Sequence, residues 1–182
     1  MKLQIANCKL QIGARFACAW LVAAALGTSV LHAETIDRVL AVVAGQLITL
    51  TDVTAATDLG LQSADGAADP VRAVLNKLID RELVLAEVDR YAPAEPTSEA
   101  VDREVQRVRQ RFSSPEAFDS ALARSGIDEA HLRETLRQDL RMRAYLDQRF
   151  SASPDQRLNA INDWMTGLRR RGGVIDLYLA GR

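Results

Sequence analysis

His131 is the one histidine downstream of residue 33, and it lies between Glu129 and Glu134. An imidazole so placed could move protons if a partner oriented it and a nucleophile or substrate pocket stood alongside. The adjoining sequence specifies neither, so His131 reads as a surface residue in a first helical turn. Glu82, Glu87 and Asp89 could form an acid pair. Arg81 and Arg90 flank them, however, which is ordinary for solvated ion pairs along a helix. Gly126, Gly172 and Gly173 are isolated stops, with no glycine-rich turn between strand and helix to cradle a phosphate. The arginines fall into three groups: Arg103, Arg107, Arg109 and Arg111; then Arg133, Arg137, Arg141 and Arg143; then Arg169, Arg170 and Arg171. Nucleic acid would favour such groups. Asp102, Glu104, Glu134, Asp139 and Asp147 interleave with the first two, so they read as solvated helix faces. No catalytic residue, metal, cofactor or nucleic-acid partner is expected.

The start of the chain sets the compartment. Residues 1–15 carry Lys2, Lys9 and Arg15 and no acid, residues 16–30 carry no charge, and Leu31-His32-Ala33 ends in a small residue. That order is the layout of a secretory signal cut after Ala33. The expected mature domain, 34–182, holds 20 basic and 24 acidic residues, a net charge of −4. At 149 residues it is long enough for one core. Cys8 and Cys18 both fall in the leader, so disulfides, thiol nucleophiles and cysteine-held metal are excluded from the mature chain. Cys18 precedes the apolar run, which argues against a lipid anchor. The run is also short of the about 20 residues that span a bilayer. Export to the periplasm without stable membrane insertion is the expectation, with an uncleaved anchor as the alternative.

The elements follow from pattern. Ile36–Leu50 reads as a hairpin of two apolar, β-branched strands turning at Ala44-Gly45-Gln46. Thr51 is expected to cap a short helix through Leu59, followed by a loop over 60–68. Asp69-Pro70 starts a long helix to about Tyr91, apolar on more than one side and therefore central. Thr97 caps the next helix, with Val101, Val105, Val108 and Phe112 on one stripe. Ser114-Pro115 starts another, which stops at Gly126. Asp128 caps a fourth long helix striped by Leu132, Leu136, Leu140 and Ala144, with Ile127 and Leu132 as a hydrophobic staple. Ser153-Pro154 opens the last helix, with Leu158, Ile161, Trp164 and Leu168 facing one way, before a closing strand over 174–179. An orphan hairpin and an orphan strand are most simply buried by pairing with each other, which brings the last helix and strand, 154–179, back onto the N-terminal elements. The fold expected is mostly α with a small β-sheet.

The helix with Phe118 and Leu122, together with Phe112 before it, lies between two longer helices. Such an arm either closes the core or leaves an apolar groove that binds extended chains. The groove reading takes Phe112, Phe118, Leu122, Leu132 and Leu136 as its lining.

The ordered combination also resembles a family. IDRVLAVV through ITLTDV (36–53), LNKLIDRELVLAEVDR (75–90) and FDSALARSGIDEAHLRETLRQDLRMRAYLDQRF (118–150) are similar to the N-terminal chaperone domain of SurA-type periplasmic chaperones. Trp164…Leu168-Arg169-Arg170 and the strand after it are similar to the C-terminal segment that completes that domain. The resemblance implies a helical domain that binds unfolded or extended polypeptides, outer-membrane proteins among them, through an apolar cleft. Many relatives insert parvulin-type prolyl isomerase modules at the position equivalent to Phe150–Ser153. These two residues are nearly adjacent here, so no catalytic residue carries over. Isomerase activity, or an adaptor role in an envelope complex, are the alternatives.

Overall fold

The computed structural model describes residues 37–151 and 153–178. The expected leader and Leu179 lie outside the described residues. Strand β1 (Val39–Val43) and strand β2 (Gln46–Thr49) form the hairpin. Their turn is Ala44-Gly45, both at positive φ (+50° and +88°), the two-residue geometry whose twist matches that of the strands.

Helix α1 (Leu50–Asp58) begins earlier than the sequence suggests. Its cap is Thr49, not Thr51. Thr49 Oγ1 accepts from the Asp52 amide at 3.3 Å, and Asp52 Oδ2 accepts from the Thr49 amide at 2.8 Å. This reciprocal box satisfies two orphan amides at once, which Thr51 could not. The Thr51 amide instead donates to Asp37 Oδ1 at 3.2 Å.

Helix α2 (Pro70–Tyr91) is the shared wall of the domain and touches β1, β2 and α1. Its first-turn amide at Arg72 is capped by Asp69 at 3.0 Å. Helices α3 (Ser98–Arg109), α4 (Pro115–Ser125), α5 (Glu129–Arg149) and α6 (Pro154–Arg171) follow, and α2 packs on both α5 and α6. Thr97, Ser114 and Asp128 cap α3, α4 and α5 as the sequence predicts.

Strand β3 (Ile175–Asp176) pairs antiparallel with β1, Ala41 opposite Asp176 and Val42 opposite Ile175. The sheet order is β2-β1-β3, so the strand that follows the last helix does pair with the hairpin. The fold is mostly α with a small antiparallel sheet. β3 is shorter than expected. After Leu177 donates to the Leu40 carbonyl at 2.9 Å, the Asp176 carboxylate accepts the Tyr178 amide at 3.1 Å and turns the chain off the ladder. The tail is then tied to α2: the Tyr178 hydroxyl donates to Asp69 at 2.9 Å and Arg72 pairs with Asp176 at 2.5 Å.

Two apolar cores result. The first joins the sheet, α1 and α2 to Tyr145 and Leu168. The second gathers Leu59, Val105, Val108, Phe118, Leu122, Leu132 and Leu136. α5 serves both, and this changes its stripe. Leu132 and Leu136 are buried in the second core, but Ala144 is exposed and Tyr145 takes the inward position in the first. The helix exchanges partners midway, so one straight stripe cannot serve it. α6 also departs from expectation. Leu168 is buried, but Leu158 is 62% exposed. The helix is held by its second half, where rings Tyr91–Tyr145, Tyr145–Trp164 and Trp164–Phe150 lie at 5.6, 6.1 and 5.4 Å.

α6 ends where it must. A Cβ at Gly172 would sit 2.2 Å from Leu83 Cδ2, a buried side chain of α2. Gly172→Ala is therefore expected to lower stability by about 1–3 kcal/mol, the usual cost of overpacking. Chemical denaturation with a tryptophan fluorescence readout checks this, and an unchanged midpoint would remove Gly172 from the packing argument.

Candidate functional site

The five residues expected to line an apolar groove are brought together, but as core. Phe118 is 1% exposed, and Leu122, Leu132 and Leu136 are buried around it. Phe112 is half-buried and meets Phe118 edge-to-face at 5.5 Å, and the Arg109 guanidinium lies 4.9 Å over the Phe118 ring. The groove reading is thus corrected for four of the five: once α3, α4 and the first half of α5 close on each other, Phe118, Leu122, Leu132 and Leu136 have no open face to offer, and Phe112 alone stays part-exposed.

An open site exists elsewhere, and it starts from a conflict inside α2. Leu78-Ile79-Asp80-Arg81-Glu82-Leu83 sets three charges in the middle of a covered helix. A half-buried guanidinium needs partners on every donor it can reach. Arg81, whose side chain is 11% exposed, finds them largely on α5. Its Nε donates to Asp139 Oδ1 at 2.8 Å, and its Nη2 donates to the Thr135 carbonyl at 3.1 Å and Gln138 Oε1 at 3.0 Å. Its Nη1 donates to the adjacent Glu82 at 2.7 Å. These bonds fasten α5 to α2 at one level.

Around that fastening two clefts open, of ≈ 250 and ≈ 240 Å³. Both are lined by Gln46, Glu82 and Gln138, so they adjoin as two lobes of a trough. β2 and α1 supply one bank, α5 supplies the other, and α2 runs between them. The larger lobe has Leu61, Leu78 and Ile127 as part-exposed apolar lining, with Ile48, Ala55 and Ala56 buried in its wall. The smaller lobe is more polar and ends near Ala44 and Arg141. Gln46, Leu47 and Ile48 form part of the bank, and β2 is an outer strand of the sheet. Leu47 is 59% exposed.

Glu82 sits at the junction of the two lobes. Burial pushes its carboxyl above the ordinary glutamate range, against the pull of Arg81, and the nearby Asp52 and Asp139 carboxylates push the same way. His131 lines the larger lobe as an exposed residue in the first turn of α5, and its backbone amide donates to the capping Asp128 at 2.7 Å. The other acids considered above are paired: Glu87 with Arg90 at 3.0 Å and Asp89 with Arg141 at 3.1 Å. The arginine groups meet carboxylates as well, including Arg109 with Glu129 at 2.5 Å and Arg169 with Asp80 at 2.5 Å. Among the described residues, no group of three or more His, Cys, Asp or Glu side chains could hold a metal ion, and no helix is long and apolar enough to cross a membrane.

Sequence reasoning missed Leu47 and Gln138 at this site, and set Glu82 and its neighbour Arg81 aside as a solvated ion pair. A signal was present: a helix covered on several sides has no solvent-facing stripe broad enough for Asp80-Arg81-Glu82, so these charges had to meet something.

Two outcomes follow. Phe118→Ala is expected to cost about 3–5 kcal/mol in unfolding free energy, as for other fully buried aromatics. A loss under about 1 kcal/mol, below the range for such truncations, would return Phe118 to an open surface. Glu82 has a raised folded-state pKa, so its ionised form is disfavoured by folding, and stability is gained as pH falls through that pKa. Glu82→Gln, which mimics the neutral acid, is expected to melt higher than the parent at pH 7. The gap should narrow on acidification; thermal melts across pH that show it constant or widening would contradict the assignment. In comparisons with known proteins, no family model and no curated protein matches this chain.

Proposed function

We propose that the chain is a non-catalytic, chaperone-type domain that holds unfolded or extended polypeptides, outer-membrane proteins among them, in the periplasm. One observation carries the reading: two adjoining clefts are bordered by an outer strand of the sheet, β2. An outer strand presents a row of backbone donors and acceptors on which an extended segment can pair. The apolar lobe beside it supplies burial for alternate side chains. At about 25 cal/mol per Å², each roughly 100 Å² of apolar surface covered there yields about 2.5 kcal/mol gross. Losses of rigid-body freedom and side-chain ordering consume most of that. The result is weak, reversible capture, which suits a holder that must release its client. The resemblance to SurA-type chaperones supports the same reading from the sequence side, with the binding surface moved from the Phe118 region to the trough.

The test is whether the protein slows aggregation of an unfolded outer-membrane barrel protein, read by light scattering. Several-fold molar excess is expected to delay aggregation. Leu47→Lys, at an exposed edge position, is expected to change stability by no more than about 0.5 kcal/mol. It should weaken the delay severalfold by setting a solvated charge on the strand edge. No delay by the parent protein overturns the proposal. An unimpaired Leu47→Lys variant removes the trough from it.

A further inference from the structure

We propose that the trough selects extended segments that carry a basic side chain among apolar ones, with the cation seated at Glu82; this rests on the holding function proposed above. The geometry at the junction is one positive charge short. Arg81 is shared between Glu82 at 2.7 Å and Asp139 at 2.8 Å, two carboxylates on one guanidinium. Asp52 lines the same lobe, close enough to Glu82 to disfavour its ionisation. Its own carboxylate is engaged with the amide and hydroxyl of Thr49, which neutralise nothing.

The imbalance extends along the trough. Its lining carries the acids Asp52, Glu82, Asp89, Glu134 and Asp139 against two arginines, Arg81 and Arg141. Arg141 is itself divided between Asp89 and Glu95, each at 3.1 Å. Arg137 answers Glu134 from outside the lining, at 2.5 Å. The remaining charge is negative and lies in a partly desolvated channel, where a fixed field is screened less than on an open surface.

Strand addition places this charge in register with a ligand. A segment paired along Gln46-Leu47-Ile48 points successive side chains to alternate sides. One set then meets the apolar lobe, while a long cationic side chain lays its methylenes along the trough and brings its head to the junction. An acidic side chain at the same position would add a further carboxylate to three.

The experiment uses fluorescently labelled, end-blocked peptides of about six residues, the usual strand length. Val and Thr alternate, with Lys, Gln or Glu at one central position, and binding is read by anisotropy. The Lys peptide is expected to bind about tenfold tighter than the Gln peptide, the gain of one charge-assisted hydrogen bond, with the Glu peptide weakest. The spread should shrink in high salt and in Glu82→Gln. If all three bind equally, the charge preference is overturned and the holding function stands. If none binds, both fall. A Lys preference undiminished in Glu82→Gln also overturns the proposal. The response of the parent protein to salt decides the matter independently should that variant fail to fold, because a spread that salt leaves unchanged is not electrostatic.

Discussion

β1 is buried on its faces and bounded on both edges, and the rest of the molecule is organised to make that possible. Leu40, Ala41 and Val43 have no exposed surface. A strand so covered must have its amides and carbonyls paired on both sides, since unpaired backbone in an apolar interior is costly. The hairpin supplies one side from adjacent residues. The other side comes from Ile175–Asp176, separated from β1 by all six described helices. That pairing is short, and it is reinforced outside the ladder. Asp69, already the cap of α2, also accepts the Tyr178 hydroxyl, while Arg72 from the first turn of α2 pairs with Asp176 and lies 5.8 Å from the Tyr178 ring centre. One helix start therefore fixes the end of the chain.

Arg81 plays the corresponding role between helices. Interdigitated apolar side chains hold α5 on α2, and Arg81 adds directional bonds to that packing. Four hydrogen bonds from one rigid guanidinium, three of them to α5, set a register. Polar chemistry in the middle of α2 thus helps determine where the trough lies.

Much of this architecture was legible in the sequence because it is written in local signals. Asp69-Pro70, Thr97, Ser114-Pro115 and Asp128 are helix starts whose chemistry does not depend on the rest of the fold. The pairing of the two chain ends was legible for a different reason: two apolar edges with no other partner leave few solutions. One error was local, and the others lie where tertiary context decides. Thr49 displaced Thr51 as a cap because Asp52 completes its box. Tyr145 displaced Ala144 because α5 passes from one core to another, which periodicity within a single helix does not encode. The candidate site was misplaced for the same reason. Apolar residues such as Phe118 and Leu136 look alike in sequence whether they line a groove or close a core, and only the arrangement of α3, α4 and α5 distinguishes the two. The charges of α2 were read as solvated because pairing with α5 is a long-range event, although their setting in a covered helix pointed to it.

The division into two cores bears on the trough in a further way. One bank, β2 with α1, contributes Ile48, Val53 and Ala56 to the core of the sheet, whereas Ile127 on the other bank packs against the core built around Phe118. The banks are joined at two places, through α5, which enters both cores, and through α1, which packs on α4. The width of the channel is therefore fixed by the same packing that closes the two cores.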